Sequence, residues 1–178
     1  PNVVKLVRYY DEGQHLYLVF ELCKGPDLFS RICDAMDSQA GRMEEADAAV
    51  VLYQMLKALK CCHCNYMGHF DVKPENFMYS NEELTTLKMI DLGLSSGFKH
   101  DVREIRGTAE YMAPEIWDGH YGPEADVWSC GVVLFAMLTG RSFLPSGADE
   151  DTLRRLVRDR AWVRQRLRSS GRQGLSQG

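Results

Sequence analysis

The sequence predicts an α+β fold in which helices dominate, and three observations carry that prediction. A short apolar–basic alternation, Leu6–Tyr10, and a β-rich run, Leu16–Phe20, flank a turn signal at Asp11-Glu12-Gly13-Gln14. From Glu44 to about Cys62, apolar residues recur at helical spacing. Asp126–Leu138 is apolar almost without interruption. A length of 178 residues suits one domain, and 45% hydrophobic residues is enough for a real core.

The elements follow in order. Leu6–Phe20 reads as an antiparallel hairpin. Gly25-Pro26-Asp27 breaks the pattern and opens a helix with Leu28, Phe29, Ile32 and Met36 on one face. After a loop at Ser38–Arg42, the residues Ala48, Val51, Leu52, Met55, Leu56 and Leu59 form the buried stripe of a long helix. Phe77–Tyr79 and Leu87–Ile90 are short strands, joined by the polar turn Ser80–Thr86. Asp91–Glu115 has little periodicity, and long loops of that kind are usually functional. Asp126–Leu138 has no polar face, so a central, fully buried helix is expected, ended by Gly140. Leu153, Leu156, Val157 and Val163 mark one more helix on an arginine-rich background. Residues 161–178 are expected to be a basic, disordered tail.

The formal charge is −4, but residues 151–178 carry eight arginines against two aspartates, which leaves about −10 on the remainder. An acidic body argues against nucleic acid as the main partner. No run of apolar residues is long enough for a membrane span. Six cysteines without a secretory context favour reduced thiols and a cytoplasmic location. Cys61-x2-Cys64-x4-His69 begins like a zinc knuckle, but Pro74 occupies the fourth slot, so a cysteine-rich helix end packed into the core is expected instead. The chain opens Pro1-Asn2-Val3-Val4, with neither an initiator Met nor a signal peptide, and reads as an internal piece of a longer protein.

The chemistry is concentrated in His69-Phe70-Asp71-Val72-Lys73-Pro74-Glu75-Asn76 and in Asp91-Leu92-Gly93, fifteen positions after Asn76. Alone, each charge is a solvated surface group. Together, an acid, a lysine and an amide followed by a second acid after an apolar strand suit phosphoryl transfer to a hydroxyl. Asp71 would orient the attacking hydroxyl and accept its proton. Lys73 would steady the moving phosphate. Asn76 and Asp91 would offer hard oxygen ligands to Mg2+.

With Gly107-Thr108-Ala109-Glu110-Tyr111-Met112-Ala113-Pro114-Glu115 and Asp126-Val127-Trp128-Ser129-Cys130-Gly131 added, the chain resembles a eukaryotic protein kinase over about residues 1–160. Lys73 two residues after Asp71, with Gly107-Thr108 in the loop, is similar to Ser/Thr rather than Tyr kinases. Leu18–Ile32 and His69–Tyr79 most resemble the calcium-dependent or calcium/calmodulin-dependent protein kinases. The resemblance implies a partial kinase domain, mainly the helical C-lobe with the hinge and the last two N-lobe strands. It implies ATP and Mg2+ as cofactors and a protein Ser/Thr hydroxyl as acceptor. It places Phe20 behind the adenine pocket, the Glu21 carbonyl and Cys23 amide on adenine, Met78 as the floor and Asp27 near the ribose. It has the Thr108 hydroxyl link Asp71 and Lys73, and Asp126 anchor the backbone around Phe70. Glu75 would face the peptide groove and favour a basic residue upstream of the target. His69 would be a packing residue in an apolar column with Leu6 and Leu92, not an acid or base.

The departures matter as much. Phe70 stands where the family's catalytic loop usually has Arg, the receptor for an activation-loop phosphate. Asp101 and Glu104 already bring negative charge to the loop, so behaviour independent of loop phosphorylation is expected. No Gly-rich loop or strand lysine precedes Pro1, so little activity is expected of the chain in isolation. The alternative is a pseudokinase or regulatory binding module that keeps the fold. Leu153, Val157 and Trp162 among arginines also leave open calmodulin or another calcium sensor as a partner, although Asp149–Arg160 aligns with an ordinary kinase helix.

Overall fold

A computed structural model describes residues 1–92, 95–97 and 104–171. Strands β1 (Leu6–Asp11) and β2 (Leu16–Phe20) pair antiparallel, the hairpin that the two segments and the turn between them predict. Gly13 has a φ of +79° in the connecting turn, a conformation glycine adopts without steric cost. Every residue of both strands is exposed, so the ribbon presents two open faces. Its base is tied to the body through residues 2–4, which run beside Leu87–Met89: the Val4 N–H donates to the Met89 carbonyl at 2.9 Å, and the Met89 N–H to the Asn2 carbonyl at 2.8 Å.

Helix α1 (Leu28–Asp37) starts where Asp27 caps it, accepting from the Ser30 N–H at 2.7 Å and the Ser30 hydroxyl at 3.1 Å. Leu28 and Ile32 are buried, but Phe29 and Met36, expected on the same face, are 47% and 43% exposed. They lie a step around the helix with Cys33, where they line a groove rather than the core. Helix α2 (Glu45–Cys64) buries Ala48, Val51, Met55 and Leu59 as the spacing predicts, and adds Gln54, Ala58 and Cys62. Leu56 is exposed. At its end only Cys62 of the Cys61–Cys64 trio packs inward; Cys61 and Cys64 are exposed, so the expected core packing holds for one thiol of the three.

Two short antiparallel strand pairs follow. β3 (Met67–Gly68) pairs with β6 (Ser96–Gly97), and β4 (Phe77–Tyr79) pairs with β5 (Leu87–Met89) in the register Phe77↔Met89. Gln54 ties α2 to this ribbon: its Oε1 accepts from the Leu87 N–H at 2.8 Å and from Asn2 Nδ2 at 2.9 Å. Residues 24–26 run along β4, with the Gly25 N–H donating to the Tyr79 carbonyl at 3.0 Å. That approach requires glycine, because a Cβ on Gly25 would overlap the Asn81 carbonyl oxygen.

Helix α3 (Glu124–Thr139) ends at Gly140 in the left-handed conformation, as predicted. It is not fully buried. Ala125, Asp126, Ser129, Cys130, Val132, Val133, Phe135 and Met137 face inward, while Val127 is 53% exposed. An absence of polar residues does not reveal that a helix has neighbours on one side only.

Helices α4 (Glu150–Arg158) and α5 (Arg160–Gly171) are the last elements among the described residues. The second corrects the expectation of a disordered tail from residue 161; residues 172–178 lie outside the described residues. Asp159 caps α5, accepting from the Ala161 and Trp162 N–H groups at 2.8 and 3.1 Å. Trp162 meets Phe143 edge-on at 5.7 Å, and Arg166 donates to the Phe143 carbonyl at 3.0 Å. One aromatic and one arginine stem are enough to dock a helix whose average composition looks disordered.

Two cores result. One joins α1, α2, β4, β5 and the inner side of α3; the other gathers Phe70, Trp117, Tyr121, Phe135, Phe143, Leu153 and Val157. Among the described residues no helix is long and apolar enough to cross a membrane.

Candidate active site

The segment between the two cores is built by alternation. Phe70 plugs into one core and Val72 into the other, which leaves Asp71 and Lys73 at the seam. Asp126 fixes the segment: its Oδ2 accepts from the His69 N–H at 2.8 Å and its Oδ1 from the Phe70 N–H at 2.7 Å. The geometry matches the anchoring role the resemblance implies. A third donor, His63 Nε2 at 2.8 Å from Asp126 Oδ2, is not legible in the sequence, because no spacing connects the end of one helix with the start of another.

Asp71, Lys73 and Thr108 converge. Thr108 donates to Asp71 Oδ1 from its N–H at 2.9 Å and from its hydroxyl at 2.8 Å. Lys73 Nζ donates to the Thr108 hydroxyl oxygen at 2.9 Å and lies 3.1 Å from Asp71 Oδ2. Burial pushes the Asp71 carboxyl up, but the Thr108 hydroxyl, the Lys73 ammonium and the Thr108 N–H outweigh it and hold the group below its ordinary value. Asp71 is therefore a carboxylate at neutral pH, able to accept a proton.

His69 is buried and its Nδ1 accepts from the Asp71 N–H at 3.2 Å, which leaves the ring proton on Nε2. Burial lowers its pKa, against the opposing pull of Asp126, Asp71 and Asp91. The ring is a neutral support for the segment. Its expected apolar column is not formed by buried partners, since Leu6 and Leu92 are both exposed.

Asn76 and Asp91 are brought together by the β4–β5 pairing: the Ile90 N–H donates to the Asn76 carbonyl at 3.0 Å, one residue from Asp91. The Asn76 amide nitrogen donates to the Asp71 carbonyl at 2.8 Å and to Asp71 Oδ2 at 3.3 Å. With the nitrogen so committed, the amide oxygen is the atom left to face a cation. One amide oxygen and one carboxylate fit Mg2+, which completes its shell with water and phosphate oxygens. Among the described residues no three His, Cys, Asp or Glu side chains form a metal cage of their own. Gly93 and Asp101 lie outside the described residues.

The expected adenine contacts lie on the 20–27 segment and β4. Phe20 is exposed at the end of β2, and Cys23 is partly buried. The Glu21 side chain pairs with Lys88 at 2.6 Å and accepts from the Lys5 N–H at 2.8 Å; the Lys88 contact chiefly holds its carboxyl below the ordinary value. Met78 is half-buried and bridges through its backbone to Asp27. Asp27 is engaged first as the cap of α1, a role its place before a helix signals.

Glu75 is exposed on a groove of about 420 Å³ that Phe29, Met36, Thr108, Glu110 and Tyr111 also line. The groove leads to Thr108 and so to Asp71. Glu110 is a second acid there, overlooked in the sequence although its place three residues after Gly107 could have marked it.

Comparison with known proteins agrees with this geometry. A protein kinase domain model matches residues 1–173. Calcium-dependent protein kinase 8 of Oryza sativa subsp. japonica is 43% identical over 143 residues, covering 79% of this chain and 26% of the relative. Calcium/calmodulin-dependent serine/threonine-protein kinase 1 of the same plant is 42% identical over 142 residues, covering 78% and 23%. Calcium-dependent protein kinase 32 of Arabidopsis thaliana is 43% identical over 143 residues, covering 79% and 26%. The chain thus spans about a quarter of the length of these curated relatives. An acid, a lysine and a threonine locked together above an aspartate-anchored loop, in a sequence matched by that domain model almost end to end, place the chain in the protein kinase family.

Proposed function

We propose that the protein is a Ser/Thr kinase, and that this chain holds the catalytic lobe that passes a phosphoryl group to a protein hydroxyl. The observation that carries the reading is the closed contact among Asp71, Thr108 and Lys73. Asp71, kept as a carboxylate, receives the acceptor hydroxyl's hydrogen bond and then its proton. Thr108 holds the carboxylate in place, and Lys73 sets a positive charge beside it. Bound ATP with Mg2+ supplies the phosphoryl group. Asn76 and Asp91 are the metal-facing residues, while Phe20, Met78, Asp27 and the backbone of Glu21 and Cys23 form the adenine and ribose side. Glu75, on the groove beside Thr108, selects a basic residue upstream of the target.

The relatives' names support control by calcium. A calmodulin site at Leu153, Val157 and Trp162 gains no support, since Leu153 and Val157 are buried and Trp162 packs on Phe143. A cytoplasmic location fits six free thiols. The intact Asp71 constellation favours transfer over a fold kept for binding alone. In the full-length protein, Asp71→Asn should cut phosphate incorporation into a basic Ser/Thr peptide by about 10²–10⁴-fold while nucleotide binding persists. Undiminished transfer by that variant would remove the proposal.

A further inference from the structure

We propose that Arg106 is a positioning residue, whose guanidinium seated on the Phe70 ring clamps residues 104–108 to the catalytic segment without a phosphate. The inference rests on the kinase reading for the role of Asp71; the clamp rests on geometry alone.

Phe70 has a φ of +63°, a region bulky residues rarely adopt and one that persists only when the surroundings over-determine it. The surroundings here are specific. The ring is buried and meets Tyr121 edge-on at 5.0 Å. The Arg106 guanidinium carbon sits 6.0 Å from the ring centroid. Tyr121 donates its hydroxyl to the Glu104 carbonyl at 2.6 Å, and the Glu104 carboxylate lies 3.6 Å from the Arg106 guanidinium. Two glycines make room: a Cβ on Gly68 would overlap the Phe70 ring, and one on Gly107 would lie 2.5 Å from the Phe70 carbonyl oxygen.

The partners are exchanged relative to the family pattern described above. There the catalytic segment carries a cation and the loop must acquire an anion. Here the catalytic segment offers the negative face of an aromatic ring and the loop carries the cation, so attraction exists without modification. Thr108, two residues beyond Arg106, is then held against Asp71 constitutively.

Amide hydrogen exchange at Thr108 tests this directly, since its N–H is bonded to Asp71. Arg106→Ala should speed that exchange roughly 3- to 30-fold, the range a partly buried cation–π contact supports, with thermal unfolding little changed. Arg106→Lys, which keeps the charge, should fall between. In a Phe70→Leu background, where the socket is filled without a π face, Arg106→Ala should have little further effect. No acceleration, or equal acceleration in both backgrounds, overturns the clamp. Exchange is read without nucleotide, so that failure would leave the kinase reading standing; coupled exchange in a protein whose phosphate transfer ignores Asp71→Asn would keep the clamp and discard the chemistry.

Discussion

Asp71 and His69 show how neighbours two positions apart acquire opposite habits. Asp71 sits at a seam with a hydroxyl, an amide and an ammonium around it, and stays ionised. His69 lies deeper, where burial outweighs the pull of Asp126, Asp71 and Asp91, and stays neutral. Its lowered pKa has a definite sign. The unfolded chain takes up a proton near pH 6.5 and the folded chain resists it, so this contribution to stability is complete above about 6.5 and is lost as pH falls through the folded value. Protonating Nδ1 would also set a donor against the Asp71 N–H. Melting temperature measured from pH 7.5 down to pH 5 should therefore fall more steeply for the natural chain than for His69→Phe. Parallel curves would mean the ring is not the neutral support described here.

Helix α5 teaches a different lesson about composition. Its arginines are not merely solvated: Arg166 lies 5.3 Å over the Phe135 ring and bonds the Ser142 and Phe143 carbonyls, covering the loop after α3. Trp162 supplies the apolar contact. Trp162→Ala should lower stability by about 2 kcal/mol, the sum of a half-buried indole and one edge-to-face pair. Chemical denaturation would register it, and a change under about 0.5 kcal/mol would indicate a helix that is merely laid on the surface. Asp126 acts similarly between elements. From α3 it holds the first residues of the catalytic segment, and through His63 the end of α2, so three elements share one carboxylate.

Across the molecule, stability is unevenly spread. Two cores grip the catalytic segment from either side through Val72 and Phe70, whereas the β1–β2 ribbon has both faces open. A two-stranded ribbon is marginal in water without a packed face. Hydrogen exchange over Leu6–Phe20 should consequently run at least about 100-fold faster than over Val51–Leu59 of α2, because the ribbon opens locally and the buried helix only with the core. Comparable protection in both would show that the ribbon shares the global unfolding unit.

The linear order of residues was sufficient for the periodic helices, the hairpin and the strand pair, and for singling out Asp71, Lys73, Asn76 and Asp91 as candidates, since periodicity and short-range spacing are properties of the chain itself. Thr108 came from the family resemblance, not from spacing. The resemblance also anticipated Asp126 as an anchor. Out of reach were His63 on Asp126, Gln54 between Asn2 and Leu87, Arg106 on Phe70, and the docking of α5. Each joins residues far apart in the chain or depends on which face of a helix finds a neighbour. Such contacts come into being only when packing sets distant groups a few ångströms apart, and no local pattern encodes that distance.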